Sequence, residues 1–217
     1  MVEHRVAVVG AAGFGGAVAA SILAAHPFVE LTALTARSDA GRRLRDVYPQ
    51  HRVDLTMEEL DVDRIADAAD AAVIGYPHKA AAPVVRELRA RGVKVVDLSA
   101  DFRLSRELYE REYQPHEAPE LLDGAVYGLT ELHRDEIAGA ELVGAPGCYP
   151  TAALLALWPL REIAADAIVD AKSGVSGAGR EPSAGTHFVS VDENVAAYKV
   201  EGHRHRAELE QELPADV

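Results

Sequence analysis

Between residues 5 and 145 short apolar runs alternate with longer mixed stretches, and this alternation sets the expected fold. Arg5-Val6-Ala7-Val8-Val9 is an apolar run behind a single charge, which predicts a short strand buried on both faces. Residues 17–25 follow with helical patterning. Residues 29–35, 71–76 and 93–98 repeat the strand signal, and residues 141–145 give a further one. Helices are predicted in the 57–68 region and from about 80 to 91, where Gly92 closes the second. Residues 105–140 read as helical and irregular excursions, with 125–129 as a short strand or turn. Such alternation predicts an α/β fold, a doubly wound parallel sheet of Rossmann type with right-handed crossovers.

The pattern changes after residue 147. An apolar run over 152–158 behind Pro150 predicts a helix, because proline in a first turn lacks only an N–H that has no partner there. Residues 167–172 predict a strand. It runs into Ser173-Gly174-Val175-Ser176-Gly177-Ala178-Gly179-Arg180, a loop whose glycines let backbone approach a ligand closely; a flexible connector is the competing explanation.

Charge narrows the partners. The chain carries 22 Lys and Arg against 35 Asp and Glu, a net charge of −13, which argues against DNA or an acidic membrane surface. A small anionic ligand must therefore be held by locally placed arginines. Hydrophobic residues at 48% and charged ones at 26% are those of a globular protein with a sizeable core. One cysteine leaves no intrachain disulfide framework. The first residues enter a strand pattern with no apolar signal region, and no run approaches membrane-span length, so a cytoplasmic enzyme or binding protein is expected.

Candidate chemistry sits at the ends of the predicted strands, where open α/β sheets bind ligands. Gly10-Ala11-Ala12-Gly13-Phe14-Gly15-Gly16 joins the first strand to the first helix. Gly10 suits the tight turn, Gly13 the approach of a phosphate and Gly16 close helix packing, although the spacing departs from G-x-G-x-x-G. After the second strand an NAD site would want a carboxylate for the ribose 2′-hydroxyl. The chain instead offers Arg37 and Ser38, which suit a 2′-phosphate, with Asp39 close behind. Pro77 and His78 follow the 71–76 strand. Ser99 and Arg103 follow the 93–98 strand, where Arg103 either clamps a phosphate or pairs with Asp97 or Asp101.

The only cysteine, Cys148, lies in Ala145-Pro146-Gly147-Cys148-Tyr149-Pro150-Thr151, just ahead of the predicted helix. The positive end of a helix dipole favours a thiolate, the nucleophilic form. Gly202-His203-Arg204-His205 supplies two histidines that can move a proton for such a thiol. Histidines two apart also make a possible metal pair, but no neighbouring cluster completes a coordination set, so no metal is expected.

Together these segments resemble the N-acetyl-γ-glutamyl-phosphate reductases of the aspartate-semialdehyde-dehydrogenase-like superfamily. The Gly10–Gly16 turn, Asp97 to Leu104, Pro146 to Thr151, Lys172 to Arg180 and Gly202 to His205 carry the likeness. It implies residues 1–147 as an NADP-binding Rossmann domain and 148–217 as the first part of an α+β catalytic and dimerisation domain. By that resemblance Cys148 attacks an acyl phosphate and NADPH reduces the resulting thioester to N-acetyl-glutamate semialdehyde, in arginine biosynthesis. His205, with His203 second, serves as acid and base. Expected cofactor contacts are Gly10, Ala12, Gly13, Phe14, Gly16, Arg37, Ser38, Pro77, His78, Ser176 and Gly177; expected substrate contacts are Ser99, Arg103 and Arg180. The family's second domain is longer, so a truncated chain is expected, with a homo-oligomer expected for the full-length family. The alternatives are a lysine-pathway reductase for N-acetyl-aminoadipyl phosphate, a non-catalytic dinucleotide-binding remnant and a cysteine-histidine hydrolase.

Overall fold

A strand, a glycine turn and a helix open the fold: β1 (His4–Val9) leads through Gly10 into α1 (Phe14–Ala24). There follow β2 (Val29–Thr35), α2 (Leu44–Val47), β3 (Met57–Glu58), α3 (Val62–Ala68), β4 (Ala71–Ile74) and α4 (Ala82–Ala90). Next come β5 (Lys94–Asp97), α5 (Arg106–Glu112), β6 (Ala125–Tyr127), α6 (Thr130–Gly139) and β7 (Leu142–Gly144). The computed structural model describes residues 3–164 and 166–213. Met1, Val2, Ala165 and residues 214–217 lie outside them.

The chain divides into two compact units, Met1–Pro146 and Gly147–Val217. In the first, seven strands form one parallel sheet in the order β3-β2-β1-β4-β5-β7-β6. The order turns back between β1 and β4, so the carboxyl ends of those two strands flank the switch point. Both faces are covered, which explains the unbroken apolar run in β1. Ala7 and Val9 enter one core with Ile65, Ile74, Val85 and Leu88, while Val8 points the other way toward Ala17, Ala20, Leu34 and Met57. Burying each such valine or leucine contributes about 2 kcal/mol.

Two sequence expectations change. The helical region 57–68 is split, because Met57 and Glu58 pair with Leu34 and Thr35 as β3. Its helix begins only at Val62, behind Asp61, whose carboxylate accepts the Arg64 N–H at 3.1 Å. The strand expected over 167–172 does not form. No strand lies among the described residues of the second unit to pair with it, and Ile168 is 95% exposed. That unit instead contains α7 (Cys148–Leu157), α8 (Phe188–Val191) and α9 (Arg206–Glu212), with α7 packed on α9 and irregular backbone and short 3₁₀ turns between. No helix among the described residues is long and apolar enough to cross a membrane.

The turn after β1 depends on missing side chains. Gly10 adopts φ +87°, and a Cβ there would stand 2.8 Å from Tyr76 Cδ1. A Cβ on Gly16 would collide with the Gly10 carbonyl oxygen and lie 2.9 Å from Ala11 Cα. Gly16→Ala is expected to destabilise the protein by about 1–3 kcal/mol through overpacking. Gly139→Ala, in the last turn of α6 with open space around it, should be neutral or slightly stabilising. Urea denaturation of the two variants measures the contrast, and equal midpoints would remove the close approach as the reason for Gly16.

Candidate active site

In the first unit, candidate residues gather at the carboxyl ends of β1, β2 and β4. The Gly10 and Ala11 N–H groups donate to the Thr35 carbonyl at 3.0 and 2.8 Å, and the Tyr48 hydroxyl donates to the Ala12 carbonyl at 2.7 Å. Phe14 packs edge-on against Tyr48. These bonds fix the turn from its flanks and leave the start of α1 without a side-chain cap or an acidic residue in its first turn. Gly13, the residue before the helix, differs from Gly10 and Gly16. Its φ is −76°, and a Cβ there would meet nothing closer than 3.7 Å. Protein packing does not demand a glycine at 13, whereas a phosphate resting on the helix N-terminus would. The turn therefore fits a dinucleotide pyrophosphate.

At the end of β2, Arg37 and Ser38 are exposed. The Arg37 guanidinium lies 5.1 Å over the ring of Tyr76, the residue packed beneath Gly10. His78 is half-buried, with its ring edge-on to Tyr113 at 5.6 Å, and Pro77 is exposed.

Beyond β5 the structure reveals a buried carboxylate network. Asp97 and Asp101 are both fully buried. The Ser99 hydroxyl donates to Asp97 at 2.6 Å and accepts the Asp101 N–H at 3.0 Å, so its bonds lie inside the loop. Asp101 accepts the N–H groups of Lys79, Ala81 and Ala82 at 2.8, 3.2 and 3.1 Å, and the Tyr109 hydroxyl at 2.9 Å. It thus caps α4, a helix that precedes it in the chain, and holds the 77–81 loop, where Lys79 adopts φ +74°. His116 supports the loop that carries Asp101. Its Nδ1 accepts from the Ala118 N–H at 2.9 Å, which assigns the proton to Nε2, 2.6 Å from the Asp101 carbonyl. Arg103 is half-buried and donates to the Leu98 carbonyl at 2.8 Å.

In the second unit Cys148 is exposed and is the first residue of α7. Glu208, 1% exposed on α9, accepts the Gly147 N–H at 2.9 Å and so fixes the helix start. A Cβ at Gly147 would lie 2.7 Å from His205 Nε2, which places that nitrogen against the residue preceding the cysteine. His203 stands beside His205, ring centroids 4.7 Å apart, and its Nδ1 accepts the His205 N–H at 3.2 Å. Burial, followed by the charges of Lys199 and Arg204, holds the His203 imidazole below its ordinary pKa, so it is neutral near pH 7. Tyr149 packs edge-on to both histidines and accepts from the Tyr198 hydroxyl at 3.1 Å. That bond, then burial and the neighbouring Tyr149 and Cys148, pushes Tyr198 up to about 12. Ser176, Gly177 and Arg180 lie on the exposed loop of this unit, Ser176 and Gly177 within a short 3₁₀ turn.

Family models match both units: the semialdehyde dehydrogenase NAD binding domain over residues 5–140, and the semialdehyde dehydrogenase dimerisation domain over 148–216. The chain belongs to the semialdehyde dehydrogenase family. Relatives named N-acetyl-gamma-glutamyl-phosphate reductase share substantial identity with it. The one from Syntrophobacter fumaroxidans is 50% identical over 96% of this chain and 63% of its own length. That from Desulforapulum autotrophicum is 46% identical over 98% and 64%. The chain therefore spans somewhat less than two thirds of these relatives. Among solved structures, aspartate semialdehyde dehydrogenase II from Vibrio cholerae superposes with TM-score 0.54 at 20% identity, covering 74% of this chain and 43% of the other. Aspartate semialdehyde dehydrogenase with NADP from Candida albicans gives TM-score 0.50 at 18% identity, covering 74% and 47%. Both show the same fold.

Sequence patterning missed the helix-capping parts of Asp101 and Glu208 and the support given by His116. The Asp97-x-Ser99-x-Asp101 spacing at a strand end is the available signal for the first. Asp97 itself makes a pH prediction. Burial foremost, with Asp101 nearby, pushes its carboxyl up to about 7 from the ordinary 3.8, against the bonds from Ser99 and the charge of Arg103. A raised carboxyl favours the folded state while it keeps its proton. Its contribution is complete below about pH 4 and is lost as pH rises toward 7. Urea midpoints measured from pH 4 to 8 should fall more steeply for the native protein than for Asp97→Asn. Parallel curves would show that Asp97 titrates alike in both states.

Proposed function

We propose that this chain carries the dinucleotide-binding and nucleophilic parts of an NADPH-dependent N-acetyl-γ-glutamyl-phosphate reductase, a step of arginine biosynthesis. The reaction converts N-acetyl-glutamyl 5-phosphate to N-acetyl-glutamate 5-semialdehyde. The observation that carries this reading is the exposed Cys148 opening α7 beside a histidine pair, in a chain whose relatives bear that name. His205 takes the thiol proton. Sγ then attacks the acyl carbon, a carbon–sulfur bond forms, the carbon–oxygen bond to phosphate breaks, and phosphate leaves with the electron pair. NADPH, when bound, supplies the hydride that reduces the thioester carbon. Collapse of the thiohemiacetal alkoxide releases the aldehyde and returns the thiolate, which recovers the proton held by His205.

Geometry supports His205 over His203 for the proton. The Nε2 of His205 faces the start of α7, whereas the Nδ1 of His203 is engaged by the His205 backbone, a positioning arrangement. The residues that would hold the dinucleotide are Gly10, Ala12, Gly13, Phe14 and Gly16 at the turn, Arg37 and Ser38 at the 2′-phosphate, and Pro77 and His78 beside them. Ser176 and Gly177 from the glycine loop complete that set. Arg103 and Arg180 supply cationic contacts for the substrate, and Ser99 supports Arg103 by ordering its loop. The match to the family's dimerisation domain supports a homo-oligomer as the working form of the full-length protein.

Incubation with the acyl phosphate in the absence of NADPH should add the mass of the N-acetyl-glutamyl group to the native protein and not to Cys148→Ser. The serine variant should keep NADPH binding while semialdehyde- and phosphate-dependent NADP reduction falls by about a thousandfold or more. His205→Asn should lower turnover by about 10²–10⁴, and more than His203→Asn. Intact-mass spectrometry and absorbance at the reduced nicotinamide band read these outcomes. An adduct that persists in Cys148→Ser would overturn the nucleophile.

A further inference from the structure

The end of β2 contains a carboxylate in the neighbourhood where an NAD site would use one, and the structure turns it away. Asp39 is 5% exposed, although it follows two exposed residues, Arg37 and Ser38. Its Oδ1 accepts from Arg42 Nη1 at 2.7 Å and its Oδ2 from the Ser38 hydroxyl at 3.3 Å. A tight turn enforces this arrangement. The Arg42 N–H donates to the Asp39 carbonyl at 3.2 Å, Gly41 adopts φ +86°, and the Met57 N–H donates to the Arg42 carbonyl at 2.9 Å, tying the turn to β3. Meanwhile Arg37 is steered over the Tyr76 ring, toward the glycine turn.

We propose that Arg42 is a specificity-determining residue for the dinucleotide, acting through Asp39: by holding that carboxylate inward it removes a repulsive charge from the 2′-phosphate site and withholds an acceptor from a ribose 2′-hydroxyl. This rests on the dinucleotide-binding role proposed above. Arg42 touches no ligand in this account and is a positioning residue. The physical basis is unequal exposure: the Asp39 side chain is 6% exposed and that of its partner Arg42 53%. Without that cation the buried Asp39 carboxylate keeps the Ser38 hydroxyl but loses the opposite charge beside it, and rotation into water is the relief open to a carboxylate on a surface turn. Rotated outward, Asp39 would stand beside Arg37, where it partly neutralises the guanidinium and repels a phosphate dianion. The same oxygen can accept from a 2′-hydroxyl, which only NAD(H) presents.

The test is cofactor binding by nicotinamide fluorescence on the full chain, with NADPH and NADH titrated separately. Arg42→Met keeps much of the side-chain volume and removes the charge. It is expected to weaken NADPH and strengthen NADH, so that the ratio of the two dissociation constants moves by about tenfold or more toward NADH. Arg42→Lys, which keeps a cation at the turn, should restore most of the native ratio. Asp39→Asn added to Arg42→Met should bring back the preference for NADPH, since an amide carries no charge to repel the phosphate. Circular dichroism establishes that each variant is folded. A folded Arg42→Met with an unchanged ratio overturns the role of Arg42, as does a shift that Asp39→Asn fails to reverse. A native chain that binds neither nucleotide contradicts instead the dinucleotide-binding reading on which the inference rests.

Discussion

Backbone meeting backbone without intervening side chains is the constraint on which the first unit depends. At the switch point of the sheet the carbonyl of Gly10, the first turn of α1 and the chain just after β4 approach so closely that Gly10 and Gly16 have no room for a methyl and Gly75 has little. The Gly75 N–H donates to the Val9 carbonyl at 2.7 Å, continuing the β1 to β4 ladder to its last position. Because the helix is drawn onto the strand ends, its unpaired N–H groups face the crevice rather than solvent at large. The same closeness sets Tyr76 under the turn, and through Tyr76 it sets the direction of Arg37.

A second set of contacts extends this order outward. Asp101 gathers three backbone N–H groups and a tyrosine hydroxyl into one buried oxygen pair, and so joins the loop after β5 to the loop after β4. A carboxylate at a helix N-terminus is favoured by the dipole as well as by the bonds it accepts. His116 and the stacked Tyr109 and Tyr113 close the far side of the loop, with His78 at the edge of that aromatic group. In the second unit Glu208 plays a comparable part at Gly147. In both units a buried acid on one element fixes the start of a helix from another, which orders the neighbouring functional residues.

The strands and the glycine turn were legible in the sequence because their signals are local. A run such as Val6 to Val9 has few alternatives to a buried strand, and Gly10 and Gly16 each answer a steric demand within the turn itself. The helix start at Cys148 was legible for a similar reason, since Pro150 marks a first turn. Asp101 and Glu208 were not. Asp101 caps a helix that ends eleven residues earlier in the chain, and no nearby periodicity records such a bond. Glu208 is one of three glutamates between 208 and 212, and nothing in that run marks which of them α7 covers. Met57 and Glu58 become a strand only because β2 offers an edge, and residues 167–172 find no strand edge among the described residues of their unit.

Charge follows the same local logic. A net charge of −13 works against any anionic ligand at long range, yet at physiological ionic strength that field is screened beyond about 8 Å. What a phosphate meets is therefore the arrangement of the last few side chains. Many arginines of the first unit are engaged by carboxylates at its surface, as in Arg86 with Glu120 at 2.6 Å and Arg43 with Asp54 at 3.1 Å. Such exposed pairs add little stability, about 0–1 kcal/mol each, but they take those cations out of competition for a ligand. Arg37 is held by the face of Tyr76 instead, a contact that orients the guanidinium without cancelling its charge. An acidic chain can in this way present a positive site, provided that Asp39, two residues beyond Arg37, faces inward.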